Sequence, residues 1–474
     1  MILFDFVNDE APLFSKSIDW LCKNHGFKKS NVAIISMGRR WSDFWQDYKN
    51  FSMTDYFHKL DNKNINITNE MERLRENYNT QNCFGVDRLL HNKPIDYQNK
   101  IVVYTFLFYE YIFSTLKVSH YFTTGIAYMY NLVSYEVAKK YNVRHVSFYD
   151  IRHPHETRTA VSYGVKNVFD EVENCYENYK SSLVTDSMLK QIENFTKKPA
   201  QPSYINNIVN KQTINTELIK EFFIRFKKYY FDKNTHYDYF TIDPFSLSAF
   251  KIKKLILSKL IISMKEKIFD EANISQDVYF LYPIHMQPEA STLVLAKYYV
   301  DQLATIVNIS KTLPLGVYLY VKEHKSALGE RFLSFYNQLK KYPNIKLIPH
   351  DENTFNLIKH SKGVITLSST VGWEALFYKK PVLVLGDVFY NGTGLTKKIL
   401  SFDELSKEVN LVIKKENQYL ETDHELRLAY FYNCLLKKSY AFEFNVYKMD
   451  IKKRLLSDKN VSNFANTINE TINK

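Results

Sequence analysis

Four short segments in the second half of the chain and one in the first concentrate residues able to bind phosphate or move protons. Pro283–Thr292 (PIHMQPEAST) holds His285, Gln287, Glu289, Ser291 and Thr292 within ten residues. Ser291 or Thr292 can cap a following helix, but capping leaves His285 and Glu289 without a role. In Val321–Lys325 (VKEHK) an apolar run ends on Lys322, Glu323, His324 and Lys325. A lysine and a histidine there suit neutralisation of a phosphate, and the carboxylate between them can orient the imidazole; a solvated charged turn is the plain alternative.

Thr366–Leu376 (TLSSTVGWEAL) carries a hydroxyl-rich turn, Ser368, Ser369 and Thr370, past Gly372 into a helix. Unpaired N–H groups and positive dipole density suit that helix start to a phosphate, and Glu374, one turn on, can reach a ribose diol. Ordinary N-capping by Ser369 or Thr370 competes with this reading. Gly386–Gly392 (GDVFYNG) adds Asp387, Tyr390 and Asn391 just past another apolar run. In the first half, Tyr149–Arg158 (YDIRHPHETR) offers Asp150 or Glu156 as general base or nucleophile. Arg152 or Arg158 can hold a carboxylate or phosphate bidentately. A charged surface loop accounts for any one of these residues equally well.

The elements that must position these groups follow from hydrophobic patterning. Asp277–Pro283, Leu315–Lys322, Ile345–Ile348, Gly363–Leu367 and Pro381–Leu385 read as strands. Thr292–Thr312, Arg331–Lys341, Phe355–His360 and Trp373–Tyr378 read as helices between them. That alternation predicts a parallel sheet wrapped by helices, whose ligands sit at the carboxyl ends of the strands, where all four segments fall. Four polar loops at one sheet edge are better explained by a shared site than by four separate caps. In the first half Asn31–Ser36, Ile101–Phe108 and His145–Tyr149 read as strands and Ala127–Lys140 as a helix. Residues 170–234 read as helical excursions and loops. Phe250–Phe269 reads as a basic amphipathic helix, either bridging domains with a solvated lysine face or lying on a membrane surface.

At 474 residues, with 45% apolar and 24% charged residues, the chain is expected to fold as two soluble globular domains. The opening MILFDFVNDEAP lacks the basic and apolar regions of a secretory signal, and no apolar run approaches the roughly 20 residues that span a bilayer, so a cytoplasmic protein is expected. Cys22, Cys83, Cys175 and Cys434 are too scattered to imply a disulfide framework or a zinc site. A formal charge of +12 admits nucleic acid, an anionic membrane or an acidic substrate as partner. Nucleic acid is set aside because no nucleic-acid-binding motif is present and the lysines are dispersed.

The segments YFLYPIHMQPEAST, DQLATI, LYVKEHK with Arg331 and Tyr336 following, PNIKLI and GVITLSSTVGWEALFYKKPVLVLGDVFY resemble, in order and spacing, the capsule polysaccharide biosynthesis family, which includes Kdo and related 3-deoxy-ulosonic acid transferases. The resemblance implies an α/β GT-B fold, two Rossmann-like domains facing a central cleft. Residues 1–265 would form an acceptor-side domain with a helical insertion around 170–265, and residues 266–474 the nucleotide-sugar-binding domain. It implies that Lys322 and His324, with Glu323 between them, read the donor phosphate, that Ser368, Ser369 and Thr370 form the hydroxyl turn before Gly372, and that Glu374 lies near ribose. His285, Gln287 and Glu289 would face the cleft, with His285 and Glu289 joining Asp150 and Glu156 as candidates for catalysis. The family's usual His-Pro is His324-Lys325 here.

The function implied is glycosyl transfer in capsular or lipopolysaccharide-type synthesis, with a CMP-linked ulosonic acid as donor, a glycan or glycolipid as acceptor and no cofactor. The absence of a DxD triplet agrees with transfer that needs no metal. A nucleotide-sugar epimerase of the same architecture, or a non-catalytic capsule assembly or export component, are the alternatives. Membrane contact through 250–269 would place the protein at the inner face of the cytoplasmic membrane.

Overall fold

The computed structural model describes residues 1–7, 10–38, 41–91, 93–151, 158–166, 168–197, 216–414, 423–442, 444 and 456–474. They form two compact units, one of Met1–Glu171, Phe223–Asp243 and Leu436–Lys474, the other of Val172–Phe222 and Pro244–Leu435.

The first unit is built on strands β1 (Ile2–Asp5), β2 (Val32–Ser36), β3 (Lys49–Ser52), β4 (His120–Thr124), β5 (Arg144–Ile151) and β6 (Arg158–Ser162). Their order is β3-β2-β1-β4-β5-β6, parallel except for β6, which pairs antiparallel with β5. β1 and β2 are buried along their whole length, as the inner strands of a sheet covered on both faces must be. An aromatic core of Phe4, Phe14, Phe122, Phe148 and Phe464 fills one side.

Ile101–Phe108, expected as a strand, lies inside the 22-residue helix Ile95–Leu116. A buried helix and a buried strand share the same run of apolar residues, and here the stretch without Gly or Pro is long enough for six turns. The strand that neighbours β1 is instead His120–Thr124.

The second unit carries β7 (Val278–Pro283), β8 (Val317–Lys322), β9 (Ile345–Ile348), β10 (Gly363–Thr366), β11 (Val382–Val384) and β12 (Thr396–Lys398). All are parallel, in the order β12-β11-β10-β7-β8-β9. In both units the chain starts at the centre, winds out one way and returns to wind out the other. This is the Rossmann-like order, and its switch points fall between β1 and β4 and between β7 and β10. The expected α/β class with two Rossmann-like units is what the chain forms.

The helix expected over Thr292–Thr312 is interrupted. A short turn, Ala290–Leu293, precedes the helix Gln302–Lys311, which Asp301 starts by accepting the Ala304 N–H at 3.0 Å.

The division into units is not a single cut near residue 265. Helix Pro244–Ser263 belongs to the second unit, where Gly329 (φ 84°) comes so close that an added Cβ would lie 2.2 Å from the Lys254 carbonyl oxygen. The chain returns to the first unit after Leu435 because Phe442, Phe444 and Phe464 complete its aromatic core, with the Phe14 and Phe464 rings 5.3 Å apart. Cys175 and Cys434 are joined as a disulfide within the second unit, their Cα atoms 5.7 Å apart. A separation of 259 residues hid that pairing, which depends on the insertion packing back onto this unit.

Candidate functional site

The carboxyl ends of β11, β10, β7 and β8 are consecutive in the second sheet, so the four polar loops are neighbours across the switch point. His285, two residues past β7, is buried, and its Nε2 accepts the backbone N–H of Ser368 beyond β10 at 3.1 Å. Burial, with smaller contributions from the neighbouring His324 and Arg331, pushes its imidazole down to about 3. A neutral ring whose Nε2 accepts a bond carries its proton on Nδ1. His285 therefore clamps the two loops on either side of the switch point. Its main chain is held as firmly: Gln302 accepts the His285 N–H and donates to its carbonyl, at 2.7 and 2.9 Å, and Arg331 donates to the same carbonyl at 2.6 Å.

Past β8, successive side chains turn to opposite sides, as the strand period requires. Glu323 is buried with its carboxylate fully engaged. Oε1 accepts from Arg331 (2.8 Å) and from the His324 N–H (2.7 Å), and Oε2 accepts from the Tyr336 hydroxyl (2.6 Å). This carboxylate holds the loop together, and a ribose would have to displace one of those donors to reach it. Lys322 is also buried, its ammonium donating to the His350 carbonyl at 3.1 Å. Burial brings its amine down to about 8, against the nearby charges of Glu323, Glu352 and Asp351. His324, partly exposed, accepts the Ser326 N–H on Nδ1 at 3.2 Å.

At the hydroxyl turn the three side chains divide their work. Ser368 donates its hydroxyl to the Ser291 carbonyl at 2.7 Å. Ser369 is the N-cap of helix Thr370–Phe377, accepting the Val371 N–H at 3.1 Å and keeping its own hydroxyl proton for a further partner. Thr370 has no hydrogen-bond partner for its hydroxyl among the described residues. The Tyr390 hydroxyl donates to the Ser369 carbonyl at 2.5 Å, and it passes so near Gly372 that a Cβ there would lie 2.4 Å from it. Glu374 sits partly exposed one turn into this helix. The Ser368, Ser369, Val371 and Gly372 N–H groups already have acceptors within the fold, so the donors left at this helix start are the hydroxyls of Ser369 and Thr370, which suit phosphate oxygens.

The remaining expected residues are placed as follows. Gln287 donates to the Val300 carbonyl at 2.5 Å, and Glu289 accepts from the Ser291 hydroxyl at 3.3 Å, so both brace their own loop. Asp387, after β11, pairs with Lys398 at the end of β12 at 2.8 Å. In the first unit, Asp150 is exposed near the end of β5, opposite Thr159 of β6. Arg158 donates to the Ser439 hydroxyl and to the Leu436 and Ser439 carbonyls, each at 2.7 Å, and thereby anchors the returning C-terminal segment. Arg152 and Glu156 lie outside the described residues.

Sequence reasoning did not single out Gln302 or Lys398. Gln302 is an ordinary helix-start residue until it is seen bridging the His285 main chain, and Lys398 ends a strand of three residues, too short to recognise.

Residues 188–408 match the family described as capsule polysaccharide biosynthesis protein. A stretch of 93 residues is 33% identical to the capsule polysaccharide export protein KpsS of Escherichia coli, covering 19% of this chain and 24% of that protein. Over 101 residues the chain is 26% identical to the capsule polysaccharide modification protein LipB of Neisseria meningitidis serogroup A, covering 20% and 24%. The matches thus span about a quarter of the length of these curated relatives. Among solved structures, Thermosulfurimonas dismutans KpsC, described as a beta Kdo 2,7 transferase, is 14% identical, covering 63% of this chain and 78% of that one, with a TM-score of 0.30. The fold assignment rests on the strand order of each sheet and not on that likeness. The matched family segment, 188–408, contains the four loops that follow β7, β8, β10 and β11, and in that segment the chain is similar to the capsule polysaccharide biosynthesis family.

Proposed function

We propose that the chain is a glycosyltransferase of surface polysaccharide synthesis that takes a 3-deoxy-ulosonic acid from a CMP donor and passes it to a growing glycan or glycolipid. The observation that carries this reading is the helix start at Ser369–Thr370, with uncommitted donors at the switch point of a Rossmann-like unit, inside the family segment. The donor phosphate would lie against those groups, with the Lys322 ammonium and His324 stabilising the charge that develops on the leaving CMP. Glu374 would take the ribose diol. The catalytic carboxylate is assigned to the Asp150–Glu156 segment, which would deprotonate the acceptor hydroxyl as it attacks the anomeric carbon.

Transfer on this reading needs no metal, and it takes place in the cytoplasm at the inner face of the membrane. The test is incubation with a CMP-linked ulosonic donor and an oligosaccharide or glycolipid acceptor, with and without magnesium, followed by mass spectrometry. An acceptor heavier by one ulosonic residue, with CMP released, is expected. A free epimerised sugar nucleotide formed without acceptor would instead assign an epimerase. Binding of the donor without any turnover would assign a non-catalytic component.

A further inference from the structure

Helix Pro244–Ser263 is apolar on two opposite sides. Its inner side, with buried Ser258 and Ile261, packs on the second unit, where Gly329 allows the close approach and Lys254 pairs with Glu330 at 2.6 Å. The outer side should then be polar, as on any helix that has already buried one face. It is not. Phe245, Ile252, Ile256 and Leu260 are 55%, 49%, 60% and 38% exposed and, at 100° per residue, fall within a stripe about 80° wide. Lys253 borders the stripe on one side, its ammonium 3.8 Å from the centre of the exposed Phe332 ring, and Lys259 borders it on the other. The helix contains no acidic residue.

We propose that this face is a docking surface for an anionic lipid bilayer, on which the helix lies flat with its aliphatic row among the acyl chains and its flanking lysines at the phosphates. No helix among the described residues is long and apolar enough to cross a membrane, so this helix lies along the surface and does not span it. The pattern, exposed aliphatic and aromatic residues bordered by lysines, is that of an interfacial helix. A second copy of the chain would set lysines against lysines across a two-fold axis, and nucleic acid would gain nothing from the aliphatic row. The inference deepens the membrane side of the proposed function and rests on it only for the expectation that the acceptor is reached at the membrane.

The test is co-sedimentation of the full chain with vesicles of phosphatidylcholine alone or mixed with phosphatidylglycerol, at low and high salt. Binding to the mixed vesicles only, weakened by salt, is expected. Two variants, Ile252→Ser with Ile256→Ser and Lys253→Glu with Lys259→Glu, should each lower vesicle affinity roughly tenfold or more. The exposed Leu315→Ser change elsewhere on the unit should have no effect. Because all these side chains face solvent or its edge, the thermal midpoints should stay at the wild-type value. Absence of vesicle binding, equal binding to both vesicle types, or equal loss in Leu315→Ser would overturn the proposal. So would a dimer in velocity sedimentation that Ile252→Ser with Ile256→Ser dissolves, or capture by an acidic protein in place of vesicles. CMP binding, measured on the same sample, separates the two readings: retained without vesicle binding it removes only the surface, and lost with vesicle binding intact it removes only the donor.

Discussion

The backbone N–H of Ser368 and Nε2 of His285, 83 residues apart, meet at 3.1 Å across the point where the second sheet reverses its strand order. The bond requires a neutral imidazole, because a protonated ring has no lone pair to offer. His285 is thus a positioning residue that fixes the hydroxyl turn relative to the loop after β7.

This makes stability depend on pH in a defined window. An imidazole held at about 3 in the fold and at 6.5 otherwise contributes fully above 6.5, and that contribution is lost as pH falls toward 3. The slope is up to about 1.4 kcal/mol per pH unit. His145, buried in the first unit and also held at about 3, adds a second such term. Urea denaturation in steps from pH 7 to 4 should show stability falling with pH, and His285→Gln should make the fall shallower without abolishing it. An unchanged slope in the variant would contradict the assignment.

Lys322 tests the electrostatics of the donor site. With its amine at about 8, the free protein should lose nucleotide affinity as pH rises through 8, because the ammonium that attracts phosphate is being neutralised. Lys322→Met keeps the buried stem and removes the charge. It should weaken nucleotide binding roughly tenfold while leaving the thermal midpoint equal or higher, since a buried charge has been deleted. Calorimetric titrations of both proteins from pH 7 to 9 decide it: unaltered affinity in Lys322→Met would take Lys322 out of the site.

Ser369 and Thr370 should separate cleanly. Ser369→Ala removes a helix cap and should cost about 1 kcal/mol of stability in addition to its effect on nucleotide. Thr370→Val removes a hydroxyl with no partner among the described residues, so stability should hold while nucleotide affinity drops several-fold, to the extent of about 1 kcal/mol. Equal losses of stability in both variants would mean that the turn is only a cap.

Gly372 and Tyr390 form a coupled pair. A methyl group at 372 would stand 2.4 Å from the Tyr390 hydroxyl and push it off the Ser369 carbonyl. Gly372→Ala should therefore destabilise by about 1–3 kcal/mol, and Tyr390→Phe, by removing the clashing atom, should make the second change less costly. A double-mutant cycle by thermal denaturation gives the coupling, and strict additivity would show that the contact does not matter.

Much of the second unit was legible because its strands are short apolar runs bounded by polar loops. β9, at Ile345–Ile348, lies where the pattern put it, and the hydroxyl turn does begin a helix. What patterning could not reveal was the direction each polar side chain takes. Lys322 and Glu323 look like one charged tip in sequence, yet the strand turns the first toward the His350 carbonyl and the second into a buried bond with Arg331 and Tyr336. Ser368, Ser369 and Thr370 are equivalent in sequence, and only the Ser291 carbonyl, reached across the sheet edge, takes the first of them out of ligand binding. In the first unit Ile101–Phe108 misled because burial on all sides erases the period that distinguishes helix from strand. The returning C-terminal helix Asp458–Asn473 carries no local sign of the distant core it completes.

The measurement that bears most directly on the central claim is isothermal calorimetry of the purified chain against CMP, CDP, UDP, GDP and dTDP, with and without magnesium. Selective binding of CMP that does not need the metal, weakened in Thr370→Val and Lys322→Met, is the predicted result. Preference for a nucleoside diphosphate, or binding of none of the five, would contradict a CMP-ulosonic acid donor.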